Sequence, residues 1–452
     1  MRRRPAPPDT RKPAPARDKP RTSAPAVRRI REAEASERDA RDRDDKPMRQ
    51  RRALSTVGGE VFVRGEPGAC ARLRTAMTVV ADEEASRAHV HGFHSYPARM
   101  HPVMARRLIE LFGEPGGRVL DPFCGSGTVL VEARLSGRPA HGVDLNPLAA
   151  SLSWCKVRGA GRKELAELLE AAHRVEHHAE TRRKQRLGAT RRYPDTDTEQ
   201  FDPHVLLELD GLRDGIERRA SGGVSQVLWL VLSSILTKVS RKRGDTAEEA
   251  DQPRRLASGF TIRLFGRKAE ELVRRIEEYS RLLPRTAPEV EVECEDAREC
   301  RSVHASTVDL VVTSPPYPGT YDYLSHHATR LRWLGMPSEQ LDRDEIGSRR
   351  KAEDGGLEAA RRWFEKDMVR VLEACARALK PGGRVVLVVA DGVVQGRALR
   401  VDELMASAMR KAGITWVATG SQRRPNRVAT AARAFTASSR QEHVLVGVKP
   451  VR

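Results

Sequence analysis

An apolar run that ends in two prolines constrains the fold of this chain more than any other feature. Residues 308–317 are VDLVVTSPPY, and the β-branched residues before the prolines predict a buried strand. Proline has no backbone N–H and a fixed φ, so the chain must leave the sheet at this point. We therefore expect Ser314, Pro315, Pro316 and Tyr317 at the carboxyl end of a strand, where open α/β sheets bind ligands.

The four residues after this strand suit a flat ring that carries an amino group. Tyr317 can stack on the ring, while the Ser314 hydroxyl and the Pro315 carbonyl can accept hydrogen bonds from the amino group. Those bonds raise the electron density on the nitrogen and make it a better nucleophile. Pro-Pro-aromatic runs also form plain turns, so the interpretation depends on the rest of the sequence.

Residues 118–128 predict a strand, a glycine-rich turn and the start of a helix. Glycines let the backbone approach a ligand closely, and the amino end of a helix favours negative charge such as a carboxylate. The rival interpretation, a phosphate-binding loop, lacks the required Gly-Lys-Ser/Thr. Gly125 and Gly127 are therefore the positions at which the backbone could approach a ligand.

Acidic residues follow two further predicted strands. Asp144 comes directly after residues 140–143, the place where dinucleotide-binding folds hold ribose hydroxyls, although it could instead cap a helix that begins near Pro147. Residues 290–294 alternate as a strand and lead to Asp296, which could reach an adenine amino group. The glycine-rich turn and these acids predict a pocket for an adenosine-bearing cofactor.

The charge of the chain favours a polyanionic partner. Its 452 residues carry a formal net charge of +19, which suits nucleic acid first and an anionic membrane surface second. Six cysteines without Cys-x-x-Cys spacing predict reduced thiols, and the longest apolar run, 227–236, is too short to span a bilayer. We expect a cytoplasmic protein with no membrane partner.

The alternation of strands and helices divides the chain into four parts. Residues 1–55 predict a disordered basic tail, 56–150 carry the cofactor motifs, 151–286 a helical insertion, and 287–452 the Pro-Pro-Tyr motif. Seven predicted strands with intervening helices indicate an α/β, Rossmann-like doubly wound sheet that is mostly parallel.

Two polar clusters remain. The first is a basic helix end in the insertion, formed by Lys238, Arg241, Lys242 and Arg243. These cations could contact phosphates, or they could simply cap the carboxyl end of the helix. Four histidines lie between positions 89 and 101, but no cysteines accompany them and no helical His-x-x-x-His pair occurs. We expect no metal.

These motifs together resemble those of the amino-methylating DNA methyltransferases, which use S-adenosylmethionine to modify cytosine N4 or adenine N6. The resemblance covers residues 90–150 and 288–450. It implies that Phe93 and Tyr96 lie in a segment that closes over the methionine part of the cofactor. It also implies a class I methyltransferase fold in which Asp144 lies at the ribose, Asp296 near the adenine and residues 314–317 hold the target base. The residues that would border the cofactor at the glycine-rich turn are Asp121, Phe123, Gly125, Gly127 and Thr128.

The resemblance implies a DNA methyltransferase that acts on a flipped base, with cytosine N4 favoured over adenine N6 because serine precedes the Pro-Pro-Tyr. An RNA base methyltransferase and a catalytically inactive nucleic-acid-binding protein are the alternatives. Target recognition falls either in 151–286 or in 319–360 together with 423–440. A cognate restriction nuclease, the recognition sequence and the oligomeric state stay open.

Overall fold

The structure is a computed structural model. It describes residues 58–80, 83–97, 99–241, 255–425, 433–436 and 439–451. The predicted basic tail over 1–55 lies outside these ranges, as do Lys242 and Arg243 of the predicted phosphate-contacting cluster.

The strands of the described residues form one large sheet and one small hairpin. Their bounds are β1 (Val61–Gly65), β2 (Val119–Asp121), β3 (Ala140–Val143), β4 (Val290–Glu293), β5 (Val308–Thr313), β6 (Leu379–Ala390), β7 (Gly392–Val394), β8 (Arg397–Leu399), β9 (Thr415–Arg423) and β10 (Gln441–Val448). The large sheet has eight strands in the order β1-β9-β10-β6-β5-β2-β3-β4, and β7 pairs with β8.

The strand order confirms the predicted Rossmann-like class I methyltransferase fold. From β2 the chain winds outward through β3 to β4, and it then returns to the other side of β2 through β5 and β6. All neighbours from β6 to β4 are parallel, whereas β10 is antiparallel to both β6 and β9. The reversal of winding lies between β2 and β5, where doubly wound sheets bind their ligands.

The predicted count of seven strands is wrong by one. Strand β1 adds an eighth at the edge of the sheet, antiparallel to β9. It has only five residues and lacks a fully buried side chain, so its pattern is too short and too weak to stand out. The other seven predicted strands are present.

Helices cover both faces of the sheet. Their bounds are α1 (Pro67–Met77), α2 (Glu83–Arg87), α3 (Pro102–Phe112), α4 (Thr128–Leu135), α5 (Pro147–Val157), α6 (Arg162–Lys184), α7 (Asp195–Gln200), α8 (Pro203–Arg219), α9 (Gly222–Val239), α10 (Phe260–Leu282), α11 (Tyr323–Leu334), α12 (Glu339–Asp344), α13 (Arg349–Ala378) and α14 (Asp402–Lys411). A hydrophobic core lies on each face of the sheet, and strand β5 contributes side chains to both. Leu310 and Val312 pack on one face and Val311 on the other, because side chains alternate along a strand.

Helix α9 is the core of the helical insertion. It is long and apolar enough to cross a membrane by length and composition. Its leucines, among them Leu228, Leu232 and Leu236, are fully buried against the rest of the chain, and the Ser233 hydroxyl is 3.1 Å from His94 Nε2. These contacts identify it as a core helix of the fold. It ends at Val239, four residues before the predicted end at Arg243.

The insertion supports the segment that follows the Pro-Pro-Tyr motif. Arg330 of α11 donates to the Ser95 hydroxyl at 3.0 Å and to the Thr237 hydroxyl of α9 at 3.2 Å. Trp333 Nε1 donates to the buried Asp197 of α7 at 3.1 Å. Two regions predicted as alternatives for target recognition therefore pack against each other.

Candidate cofactor and target-base site

A hydrogen bond joins the two motifs that lie almost two hundred residues apart in the chain. The Thr313 hydroxyl, at the end of β5, donates to Asp121 Oδ1 at the end of β2 over 2.6 Å. Because β2 and β5 are adjacent parallel strands, the glycine-rich turn and the Ser-Pro-Pro-Tyr turn emerge side by side. The predicted juxtaposition of the two motifs is present.

Two adjoining cavities lie over these strand ends. The larger has a volume of about 650 Å³ and the smaller about 330 Å³. They share the side chains or backbone of Tyr96, Phe123, Gly125 and Ser314. The cavities are therefore two ends of one cleft, with a predicted cofactor residue and a predicted base-binding residue in both.

The glycine-rich turn needs its glycines for conformation and for space. Gly125 and Gly127 have φ values of +53° and +84°, the left-handed region that disfavours other residues. A Cβ atom on Gly127 would lie 3.0 Å from the Cα atom of Ser153 on α5. The Ser153 hydroxyl in turn donates to the carbonyl of Gly125 at 3.0 Å, which fastens the turn to this helix.

Asp144 holds the turn from the neighbouring strand. Its Oδ2 accepts from the Gly125 N–H at 2.8 Å, and its Oδ1 accepts from the Asn146 N–H at 2.9 Å. Burial raises the pKa of Asp144 to about 6, although these two N–H groups oppose the shift. Its carboxyl lines the larger cavity, where it can accept further hydrogen bonds from ribose hydroxyls.

The charges of the two cavities differ. Four acids line the larger one, Asp144, Asp296, Asp344 and Glu345, and none of the described residues around it is a lysine or arginine. The smaller one is lined by one basic side chain, Arg99, and by one acid, Asp121.

This layout fits S-adenosylmethionine. The acids suit its hydroxyl, amino and sulfonium groups, and Arg99 suits the carboxylate of its methionine part.

Asp296 occupies the predicted wall of the larger cavity and is held there by Arg298. The guanidinium donates to both carboxylate oxygens of Asp296, the shortest distance being 2.6 Å, and to Asp367 at 3.0 Å. It also donates to the backbone carbonyl of Asp344 at 3.3 Å. Arg298 thus connects the cavity residue Asp296, which follows β4, to the end of α12 and to α13.

Ser314 and Pro316 line the larger cavity, whereas Tyr317 and the buried Pro315 do not. The Tyr317 ring packs against the core, and its hydroxyl donates to Glu442 Oε1 at 3.2 Å. Glu442 is in turn paired with Arg424. Stacking of Tyr317 on a target base stays a prediction.

Two predicted cofactor residues do not line the cleft. Phe93 is 1 % exposed and belongs to the hydrophobic core beside the cleft, so its contribution is indirect. Gly127 supports the turn through its conformation, while Asp121 and Thr128 line the smaller cavity as expected.

Sequence reasoning missed one wall of the larger cavity. Tyr323, Leu341, Glu345 and Ile346 come from the helices after the Pro-Pro-Tyr motif. Their stretch of sequence is polar and mixed in charge, and nothing in its pattern shows which side chains turn inward.

The two described residues of the predicted phosphate-contacting cluster have other partners. Arg241 forms a 2.8 Å ion pair with Asp202. Burial, followed by the positive charge of Lys268, lowers the pKa of Lys238 to about 7. Phosphate contact by these residues stays a prediction.

A group of metal-ligating side chains lies among the described histidines. Ligand atoms of His89, His91 and Glu132 are within 4.8 Å of one another. Glu132 already accepts from Arg106 at 2.8 Å and lies 2.7 Å from His91 Nε2. Burial, and next the positive charge of Lys156, hold the pKa of His91 well below its usual range. The same cations oppose a divalent ion, so we assign no metal to the group.

Comparison with known families is consistent with the geometry of the cleft. Residues 32–153 match the DNA methylase family of N6 and N4 methyltransferases. Over these residues the chain is similar to this family. The match and the charge layout of the cleft support S-adenosylmethionine as the cofactor.

Several known proteins are similar to this chain over part of their own length. The Type II methyltransferase M.MvaI of Kocuria varians is 42% identical over 69 residues, 15% of each chain. The Type II methyltransferase M.BsoBI of Geobacillus stearothermophilus is 22% identical over 280 residues, 56% of this chain and 54% of its own. A tRNA (guanine(10)-N2)-dimethyltransferase of Methanothermobacter thermautotrophicus is 38% identical over 76 residues, 16% and 23%. The chain thus spans about half or less of these relatives.

We expect Asp121, which joins β2 and β5, to make the stability of the chain depend on pH. Burial raises the pKa of Asp121 from 3.8 to about 7, so the folded state favours the protonated form. The folded state therefore loses stability as the pH rises from about 4 to about 7, by on the order of 2–4 kcal/mol. Asp121→Asn keeps an oxygen for Thr313 and removes the titration.

We expect the Asp121→Asn chain to lose less stability than the wild type over this pH range. Urea unfolding from about pH 4.5 to about pH 8 measures the difference. Subtracting one curve from the other removes the contributions of other buried acids such as Asp144. Parallel curves for the two chains would contradict the assignment.

Proposed function

We propose that the protein transfers the methyl group of S-adenosylmethionine to the exocyclic amino group of a flipped DNA base. The favoured target is cytosine N4, in preference to adenine N6. The observation that carries the proposal is the position of Ser314, which lines both cavities of the cleft together with Gly125. The cofactor, when bound, supplies an activated methyl group. An amino group held at Ser314 would lie beside it.

The residues around Ser314 position and polarise the base. The Ser314 hydroxyl is half-buried and can turn towards an amino group, since its bond to the Tyr317 hydroxyl is long at 3.4 Å. The Pro315 carbonyl, fixed by the ring of the next residue, offers a second acceptor. No metal or covalent intermediate is required, so catalysis comes from positioning and electrostatics.

The charge of the chain supports a nucleic-acid substrate. A formal charge of +19 attracts phosphates, and a base in a duplex must leave the stack to reach a cleft of this depth. We expect binding to weaken steeply with salt. Serine before the two prolines favours cytosine N4, by the family resemblance.

An RNA base is the second candidate substrate. The similarity over 76 residues to a tRNA (guanine(10)-N2)-dimethyltransferase favours it. Adenosine-binding residues do not distinguish DNA from RNA, so the target has to be identified by experiment.

The experiment supplies cofactor with a labelled methyl group and offers duplex DNA of mixed sequence, RNA, or both in competition. We expect label in DNA, and nucleoside analysis should find N4-methylcytosine. Label in RNA alone supports the second candidate. Label in neither, with a chain that still binds the cofactor, contradicts both.

A further inference from the structure

A short segment after α12, which we call the strap (Glu345–Arg349), is fastened to the turn that carries the Pro-Pro-Tyr motif. The Gly319 N–H donates to the Gly347 carbonyl at 3.1 Å, and the Arg349 N–H donates to the Tyr321 carbonyl at 2.9 Å. The Tyr323 N–H donates to Glu345 Oε1 at 2.7 Å. Three bonds thus hold the strap against residues 319–323.

The strap presents one carboxylate oxygen that accepts no hydrogen bond within the described part of the chain. Glu345 is 6 % exposed, and its Oε2 makes no hydrogen bond to any of the described residues. A buried acceptor without a partner costs about 1–3 kcal/mol, and more when it is charged. Such an atom beside a cavity indicates a ligand whose donor group completes it.

The cavity beside Glu345 is the acidic end of the cleft. Glu345 lines it together with Asp144, Leu145 and Asp296. The adjacent side chain of the strap, Ile346, also lines it and offers an apolar surface for a flat ring. The ligand chemistry here is that of a nucleoside with hydroxyl and amino donors.

We propose that Glu345 binds the cofactor by accepting a hydrogen bond from a hydroxyl or amino group of its adenosine part. The proposal rests on the cofactor site of the proposed function. The strap is hydrogen-bonded to residues 319–323, which directly follow the Ser-Pro-Pro-Tyr motif. Cofactor binding at Glu345 would therefore also help to position this loop. Glu345 is therefore a binding residue with a positioning effect on that loop.

The groups around Glu345 set its titration. Burial raises the pKa of Glu345 to about 7, and the nearby Asp322 adds to the shift. The N–H groups of Tyr323 and Leu324 and the positive charge of Lys351 act in the opposite direction. Affinity for the cofactor should therefore rise with pH through about 7, as the accepting carboxylate forms.

Further groups face Glu345 from the neighbouring elements. Arg350 of α13 lies near it and is paired with Asp342 at 2.6 Å. The Tyr96 and Tyr323 hydroxyls stay protonated, because burial, the largest cause, raises both pKa values well above the usual range. Asp144, with a pKa of about 6, titrates below Glu345.

The test is calorimetric binding of S-adenosylmethionine in the absence of DNA. Glu345→Gln keeps an oxygen for the Tyr323 N–H and replaces the free carboxylate oxygen by an amide. Glu358→Gln, at an exposed site on α13, is the matched control. We expect Glu345→Gln to bind about tenfold more weakly at about pH 8, with a smaller difference at about pH 6.

Each outcome is informative. A wild-type chain that fails to bind S-adenosylmethionine refutes the proposed function itself. A wild-type chain that binds, with equal affinity in Glu345→Gln, overturns only the present proposal. The pH profile of the wild type is a second measurement that needs no variant, and an affinity that is flat from about pH 6.5 to about pH 8 also overturns it.

Discussion

Replacing Ser314 with alanine is expected to slow methyl transfer about a hundredfold and to leave cofactor affinity within about twofold. The hydroxyl is the side-chain acceptor of the Ser-Pro-Pro-Tyr turn that faces the cleft. Its loss removes polarisation of the amino group, which matters most when the new bond forms. The stability of the chain should change little, because the hydroxyl makes only a 3.4 Å bond to Tyr317.

Single-turnover transfer of labelled methyl groups to DNA measures this effect, and calorimetry measures cofactor affinity. Ser325→Ala, at an exposed site on α11, provides the control for serine removal. A Ser314→Ala chain that transfers at the wild-type rate would contradict the role of the hydroxyl. Loss of both transfer and cofactor binding would place the serine at the cofactor instead of the base.

Motifs whose function depends on local conformation could be predicted from the sequence. Two prolines end β5, and positive φ values at Gly125 and Gly127 shape the turn, whatever the rest of the chain does. Parallel strand ends then bring these motifs together, as the Thr313–Asp121 bond demonstrates. Local backbone chemistry combined with the rules of doubly wound sheets was sufficient here.

Features that depend on tertiary packing could not be predicted. The sequence around Glu345 is as polar as that around exposed acids, so its pattern does not predict burial. Glu345 is buried because the strap packs against the turn after the Pro-Pro-Tyr motif. Phe93 and Tyr96 share one motif, yet the first is in the core and the second in the cleft. The position of Lys238 at a helix end predicts phosphate contact, while its burial near Lys268, which lowers its pKa to about 7, follows from packing that the sequence does not show.

The largest structural effect should come from Gly127→Ala. The alanine must adopt a φ near +84°, and its Cβ would lie 3.0 Å from the backbone of Ser153. The left-handed conformation costs about 1–2 kcal/mol, and the overpacking costs about 1–3 kcal/mol more. Because Ser153 also holds the Gly125 carbonyl, relieving the contact displaces the turn from the cofactor.

Gly137→Ala separates conformation from packing. Gly137 has a similar φ of +72°, but a Cβ atom there would meet nothing within 4 Å. Both variants should lose stability in urea unfolding, Gly127→Ala by about 1–3 kcal/mol more. Only Gly127→Ala should lose cofactor affinity, by about a hundredfold or more, since a shift of the turn removes several contacts at once. If Gly127→Ala and Gly137→Ala bound the cofactor with equal affinity, contact between the turn and α5 would not be needed for binding. The hydrogen bond from Gly125 to Asp144 would then be sufficient to hold the turn.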